Sequence, residues 1–475
     1  MKLRKRISYW IMPFLLLSFA GGFVRETRAL TTEEEKEMGK KIIREIEGKV
    51  EVVRDVTLQA FINRMGRSLV AQAGPSPYEF KFYLIKGQDP NAMAIPGGYI
   101  VVTTGLIVLA ENEHEIAGVL SHEVSHVMAR HVVQLMERMK RLNLASLAAI
   151  LIGAIAGGGG TGSQAVAATA MAATEALALK YTREMEREAD QNGLHILTRA
   201  GYDPAGLISF LNKINKVSLA SMPKIPAYLS SHPGVEDRIA LLESLLQIEP
   251  KHRVSFRSTG DFKGIQARAF VEEREPSVAV SHFESMIKAD PQDVNGYLGL
   301  GLSFQKMGRL DKSIEILEKA LSLVPKEPEV LREIGVAYFL SGKLDQAIEI
   351  LESLQSLPHE RDQNDDLEGL YYLARAYQEK GDAARALSLF LRFRKEMPDF
   401  PDIHNNLGSV YGRMGQKGLS HLYFGKYFKS RGDKQNALLH FSTALKWLEK
   451  GSLEREEVER EIKELTRGKE EKPKK

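Results

Sequence analysis

The chain has 475 residues, with 65 Lys plus Arg against 62 Asp plus Glu and a net charge of +3. At roughly 100–200 residues per domain two or three domains are expected, and so balanced a charge argues against nucleic acid as a partner. Cysteine is absent, which excludes disulfides, a thiol nucleophile, an iron–sulfur cluster and Cys-ligated zinc, so any metal has to be held by His and carboxylate groups.

Lys2, Arg4, Lys5 and Arg6 precede an apolar run, Ile7–Val24, and then Thr27-Arg28-Ala29. A basic, then apolar, then small-residue order predicts a secretory signal peptide over residues 1–29, with a retained N-terminal anchor as the alternative. Either form takes the bulk of the chain out of the cytoplasm, into the periplasm if the cell is Gram-negative. Residues 30–255 read as one α-rich domain. Thr31–Val50 is amphipathic with a cap-like start. Phe80–Ile85 and Tyr99–Thr104 read as strands, the second following a Pro96-Gly97-Gly98 turn. A helical period runs from about Glu111 to Arg141 and resumes over Glu175–Ala200, and Asp203-Pro204 opens a further helix. Between the first two lie 33 residues without a charge, 142–174, split by the run Gly157–Gly160. A helical hairpin is expected there, as a lid, as a peripheral membrane contact, or docked on the second domain.

From about Asp261 the chain repeats. Gly308 and Gly342 are 34 residues apart, as are Gly381 and Gly415, with a polar insertion at His359–Asp366 between the pairs. Around these glycines Leu300, Gly301 and Phe304 recur as Leu373, Ala374 and Tyr377 and again as Leu407, Gly408 and Tyr411. A 34-residue period of this kind is the tetratricopeptide signature, two helices per unit stacked into a solenoid. The array is assigned to 256–447 and a charged tail, read as a solvated helix that frays, to 448–475. Such arrays hold a polypeptide on their concave face, and Asn295, Arg375, Asn405 and Asn406 are candidates to line it.

The chemistry lies in His122-Glu123-Val124-Ser125-His126. On a helix the two imidazoles are one turn apart and can share one Zn²⁺, with Glu123 beside them to take a proton from water. A catalytic zinc wants a third protein donor. The acidic helix around Glu186 offers it: Glu186 can ligate while Asp190, one turn on, orients a ligand histidine. Glu184 and Glu188 are the alternatives. His232, in Ser231-His232-Pro233, can stabilise an oxyanion or close the site as a fourth ligand. Arg238 can brace the site or hold a carboxylate. His114 and His131 carry no such context and read as structural or exposed.

Together, His122-Glu123-Val124-Ser125-His126, Glu186-Arg187-Glu188-Ala189-Asp190 and Ser231-His232-Pro233 with Arg238 resemble the zinc metalloproteases related to the CAAX prenyl protease, HtpX and the mitochondrial OMA protease. The signal peptide and repeats resemble the β-barrel assembly-enhancing branch of that family. The resemblance implies a mostly α fold, a zincin-type metalloprotease domain with a small β-sheet followed by a tetratricopeptide solenoid. It implies one Zn²⁺ on His122, His126 and Glu186, Glu123 as general base, Asp190 as the carboxylate behind a ligand, and His232 as a latch on the metal. Asn91, Ala92, Met93, Gly97 and Gly98 correspond to the family's segment beside the cleft, with Met93 where an aromatic is commoner. The implied role is a periplasmic protease for misfolded or stalled outer-membrane proteins, its repeats meeting the barrel-assembly machinery. Substrate is expected to lie extended along the strand after Gly98, adding to its edge. The other reading is a chaperone or adaptor with a structural zinc.

Overall fold

The computed structural model describes residues 30–138, 182–220, 226–248, 256, 262–357, 366–400 and 402–466. The signal-peptide expectation, the 142–174 segment and the end of the tail lie outside them. Among the described residues no helix is long and apolar enough to cross a membrane.

The fold is mostly helical, with one small sheet. Helix α1 (Thr32–Glu47) starts on a reciprocal cap between Thr31 and Glu34, and α2 (Val56–Val70) starts on Asp55, whose side chain accepts from the Leu58 amide at 2.8 Å. Strands β1 (Lys81–Ile85), β2 (Ala92–Ile95) and β3 (Tyr99–Thr103) form a mixed sheet in the order β1-β3-β2. Alternation along the strands separates two cores. Met93, Ile95, Tyr99 and Val101 pack with the isoleucines of α1. Ala92, Ala94, Ile100 and Val102 face α2 and, after the short α3 (Thr104–Leu109), α4 (Glu113–Met128).

Two expectations are corrected. The Asn-Ala-Met-Ala segment is itself a strand, and β3 is the central strand, parallel to β1 and antiparallel to β2. Both edges of β3 are therefore used, and an added chain cannot pair with it. The long helical period also breaks. α4 stops at Met128, Arg130 takes a left-handed φ of 55°, and α5 (His131–Arg138) starts in a new direction. Arg130 is held there by a backbone bond to Val127 and an ion pair with the buried Glu35.

Helix α6 (Arg183–Arg199), capped by Thr182, crosses α4 closely because Gly193 has no side chain. A Cβ there would stand 3.2 Å from the His122 Cα. Helix α7 (Ala205–Ala220) packs on the other flank of α4 at Gly118, where a Cβ would meet the Leu207 backbone at 2.8 Å. Glycine at these crossings sets how near the histidine-bearing helix lies to its partners. The short α8 (Ala227–Ser231) and α9 (Val235–Ile248) complete this region, joined through Pro233 and a left-handed Gly234.

Helix pairs follow from Phe262, with left-handed glycines at 308, 342, 381, 415 and 432. The helix Lys417–Ser430 packs on both its neighbours, so it serves two units across the short step from Gly415 to Gly432. The tail is helical as expected, and only its full solvation is corrected. Leu453–Thr466 is a helix whose Val458 is buried with Leu422 and Phe441, and it covers the end of the array.

The repeat face formed by first helices is not left open where it meets the N-terminal domain. Val56 and Ala60 of α2 share a core with Leu331, Leu367 and Tyr371. Of the expected groove residues, Asn406 is buried and donates to the Tyr371 hydroxyl at 3.0 Å, and Arg375 lies over the Phe339 ring at 4.6 Å. Asn405 is exposed. Behind α2 lies a buried ion cluster. Arg268 pairs with Asp55 at 2.6 Å, with Glu368 at 3.1 Å and with Glu333, while Arg332 reaches Asp366 at 3.0 Å and Glu368 at 3.4 Å.

Four carboxylates share two guanidiniums there. Burial, against the pull of Arg268, pushes the Glu368 carboxyl up to about 8, with Asp55 and Glu333 adding to it. A carboxyl raised on folding means the folded state binds more protons than the unfolded chain, so stability falls as pH rises between the ordinary carboxyl range and about 8. Glu368→Gln is expected to remove that part of the fall. The check is the thermal midpoint of both proteins at pH 5 and pH 8, and the variant should lose less.

Candidate metal centre

Three helices and one helix end converge. α4 brings His122, Glu123 and His126, α6 brings Glu186 and Asp190, the end of α8 brings His232, and the second turn of α9 brings Arg238. All seven are at most 2% exposed. Buried groups of this kind need partners, and they find them in one another. His122 Nε2 lies 3.0 Å from His126 Nε2 and 3.3 Å from His232 Nδ1. Glu186 lies 3.5 Å from His122 Nε2, 3.4 Å from His126 Nε2 and 3.0 Å from His232 Nδ1. One donor atom from each of His122, His126, Glu186 and His232 falls within 4.8 Å of all the others.

This donor set fits a divalent ion. A tetrahedral site with metal–nitrogen distances of about 2.0–2.1 Å spaces its donors by about 3.3 Å, and the separations here are 3.0 to 3.5 Å. Glu184 and Glu188, the alternative donors, are exposed and lie outside the donor group.

Around the donors lies a second ring of contacts. His122 Nδ1 is 2.9 Å from Asp190 Oδ1. Arg238 donates from Nε and Nη2 to the two Asp190 oxygens, both at 2.8 Å, and Nη1 sits 2.9 Å from Glu186 Oε2. Burial would raise the Glu186 carboxyl, but His232 and Arg238 hold it well below the usual range. Asp190 is lowered in the same way by Arg238 and His122. Burial and Arg238 oppose a charge on His122, yet Asp190 and Glu186 lift it to about 9. Burial drives His126 well down. Glu123 is different. Burial raises its carboxyl, its Oε2 accepts the Ala94 amide at 2.9 Å, and its Oε1 lies 3.5 Å from His232 Nε2.

The Ala94 bond locates the sheet. Thr103 N–H donates to the Asn91 carbonyl at 3.0 Å, so by antiparallel alternation Met93 and Ile95 bond to β3 while Ala92 and Ala94 present their backbone to the outer edge of β2. Glu123 therefore stands on that edge. The other segment residues spread out. Asn91 is buried, with its amide on the Thr103 hydroxyl at 2.9 Å. Met93 faces α1. Gly97 and Gly98 make the β2–β3 turn, against Lys36 of α1 and Glu79 respectively.

Two side chains here escape the sequence reading. Tyr228 stacks on His232 with ring centres 4.6 Å apart, one helical turn before it, a spacing that is visible in the sequence. His131 lies with its Nδ1 2.9 Å from His126 Nδ1. In an unbroken helix a residue five after His126 would point elsewhere, and only the turn at Arg130 brings it back.

Residues 57–246, which hold all of these groups, match peptidase family M48, and residues 304–363 and 368–399 match tetratricopeptide repeats. The chain carries a peptidase family M48 domain followed by tetratricopeptide repeats. The beta-barrel assembly-enhancing protease of Escherichia coli is 32% identical over 216 residues, 44% of this chain and 43% of that protein. The mitochondrial metalloendopeptidase OMA1 of Schizosaccharomyces pombe is 28% identical over 201 residues, 42% of this chain and 56% of that one. The matched stretch is thus about half the length of these relatives. Among solved structures, the type IV pilus biogenesis factor PilW aligns over 42% of this chain and 99% of its own at 20% identity, with a TM-score of 0.32.

Proposed function

We propose that this chain is a zinc-dependent endopeptidase of the cell envelope. It acts in the periplasm on unfolded or stalled outer-membrane proteins, and its repeats meet the machinery that assembles them. The observation that carries the enzymatic part is the buried donor set His122, His126 and Glu186 with Glu123 beside it, within a peptidase family M48 match. The barrel-assembly context rests on the name of the Escherichia coli relative.

His122, His126 and Glu186 would hold the ion, which supplies Lewis-acid activation of a carbonyl and of water. Glu123 takes a proton from the attacking water and passes it to the leaving amine, a task helped by its raised carboxyl. Asp190, fixed by two bonds from Arg238, keeps His122 Nδ1 protonated and its Nε2 turned inward. A substrate strand pairs with the outer edge of β2, which carries it past Glu123. Backbone pairing is largely blind to sequence and suits a selector of unfolded chains.

His232 favours the second reading, an adaptor with a structural metal, because it makes the protein donors four and a closed four-donor site is the structural type. In the enzyme it is a latch that has to leave, and once out it can face the oxyanion. The two readings part on His232→Ala. An unfolded outer-membrane β-barrel protein, diluted from denaturant, is offered to the wild type and to His232→Ala, each loaded with zinc. Fragments from either, abolished by a chelator, support the enzyme. Intact substrate with both proteins, at full metal content, leaves the adaptor.

A further inference from the structure

His126 carries a contact that the donor set does not explain. Its Nε2 faces the cluster, and its Nδ1 is 2.9 Å from Nδ1 of His131, the first residue of α5. The far nitrogen of His131, Nε2, is 3.3 Å from Oε2 of Glu188 on α6. His131 is buried and the Glu188 side chain is 58% exposed. The three groups form a line from the cluster to solvent.

Tautomers along this line are fixed by its two ends. A His126 whose Nε2 serves as a donor atom to an ion carries its proton on Nδ1 and must give it to an acceptor. His131 Nδ1 can accept only if its own proton sits on Nε2. That proton then points at a carboxylate, which only accepts. The backbone is shaped for this arrangement. The left-handed Arg130, pinned by Glu35, turns the chain so that His131 lies over His126, a conformation that a non-glycine residue adopts at a cost. His122 has its own support in Asp190, and His126 has this one.

We propose that His131 is a positioning residue for His126: backed by Glu188, it fixes the His126 tautomer and ring plane so that Nε2 is aimed into the ion site. The inference rests on the reading of His122, His126, Glu186 and His232 as a metal centre. Glu188 then belongs behind a ligand and is not one itself.

The test is the zinc dissociation constant, measured on the metal-free protein by competition with a chelating dye, together with the melting of the metal-free form. His131→Leu is expected to weaken zinc by about 10–100-fold, the usual effect of removing a group behind a metal ligand, with the metal-free melting curve unchanged. His131→Asn, whose amide oxygen can accept the Nδ1 proton, is expected to recover most of the affinity. Wild-type affinity in His131→Leu overturns the inference, and so does an Asn variant as weak as the Leu variant, which would make the effect one of packing. Should neither His131 variant fold, Glu188→Leu at the exposed end decides: weaker zinc supports the line, unchanged zinc overturns it. A wild type that binds no zinc removes the metal reading itself, and this inference with it.

Discussion

Glu123→Gln is expected to fold and to keep its metal, while its peptide-bond cleavage falls by about 10²–10⁴-fold, the usual weight of a general base. The expectation follows from position. Glu123 is fully buried yet outside the four-donor group, so metal content should not depend on its charge. A glutamine fills the same space, and its oxygen can still accept the Ala94 amide that Glu123 Oε2 now takes at 2.9 Å. What it cannot do is take a proton from water. The comparison is of cleavage rates at equal metal content, made in the form of the protein that shows cleavage. A variant that cleaves at the parent rate would remove Glu123 from the chemistry, and a variant that loses its metal would make it part of the holding set.

The largest effect on stability is expected at Arg238. Its guanidinium is 2% exposed, makes two 2.8 Å bonds to Asp190 and lies 2.9 Å from Glu186. Arg238→Leu leaves two buried carboxylates without their cation, and breaking a buried pair in this way costs about 3–5 kcal/mol. The measurement is denaturant unfolding of the metal-free protein, since a bound ion would offset part of the loss. Metal binding should weaken as well, because Asp190 loses the group that orients it behind His122. A loss below about 1 kcal/mol, in the range of an exposed pair, would show that water reaches the site and that Arg238 does not hold it together.

Much of this site is legible from spacing alone. His122 with His126, and Glu186 with Asp190, are one-turn pairs on helices, and the repeats declare themselves by their period. The choice of Glu186 over Glu184 and Glu188 was open in the sequence, because the face of α6 that meets α4 is set by packing at Gly193. β2 escaped because Ala92–Ile95 is short, wholly buried and shows no polar alternation. Without it, β3 looked like an edge when it is the centre of the sheet. His131 escaped for a backbone reason: a left-handed Arg130 leaves no mark on helical periodicity, and it moves the next residue onto the His126 side. The docking of α2 on the repeats and the tail helix over their end are long-range contacts, which local patterns do not encode.

The account depends on one divalent ion held by His122, His126 and Glu186, with His232 as a fourth donor. The most direct test is the zinc content of the chain from Leu30 onward, purified without chelator, beside His122→Ala. About one zinc per chain in the parent, a single tetrahedral site's worth, lost in His122→Ala, is the expected result. Equal zinc in both would place the ion elsewhere. No zinc and no other metal in the parent would contradict the metal centre, and with it the peptidase.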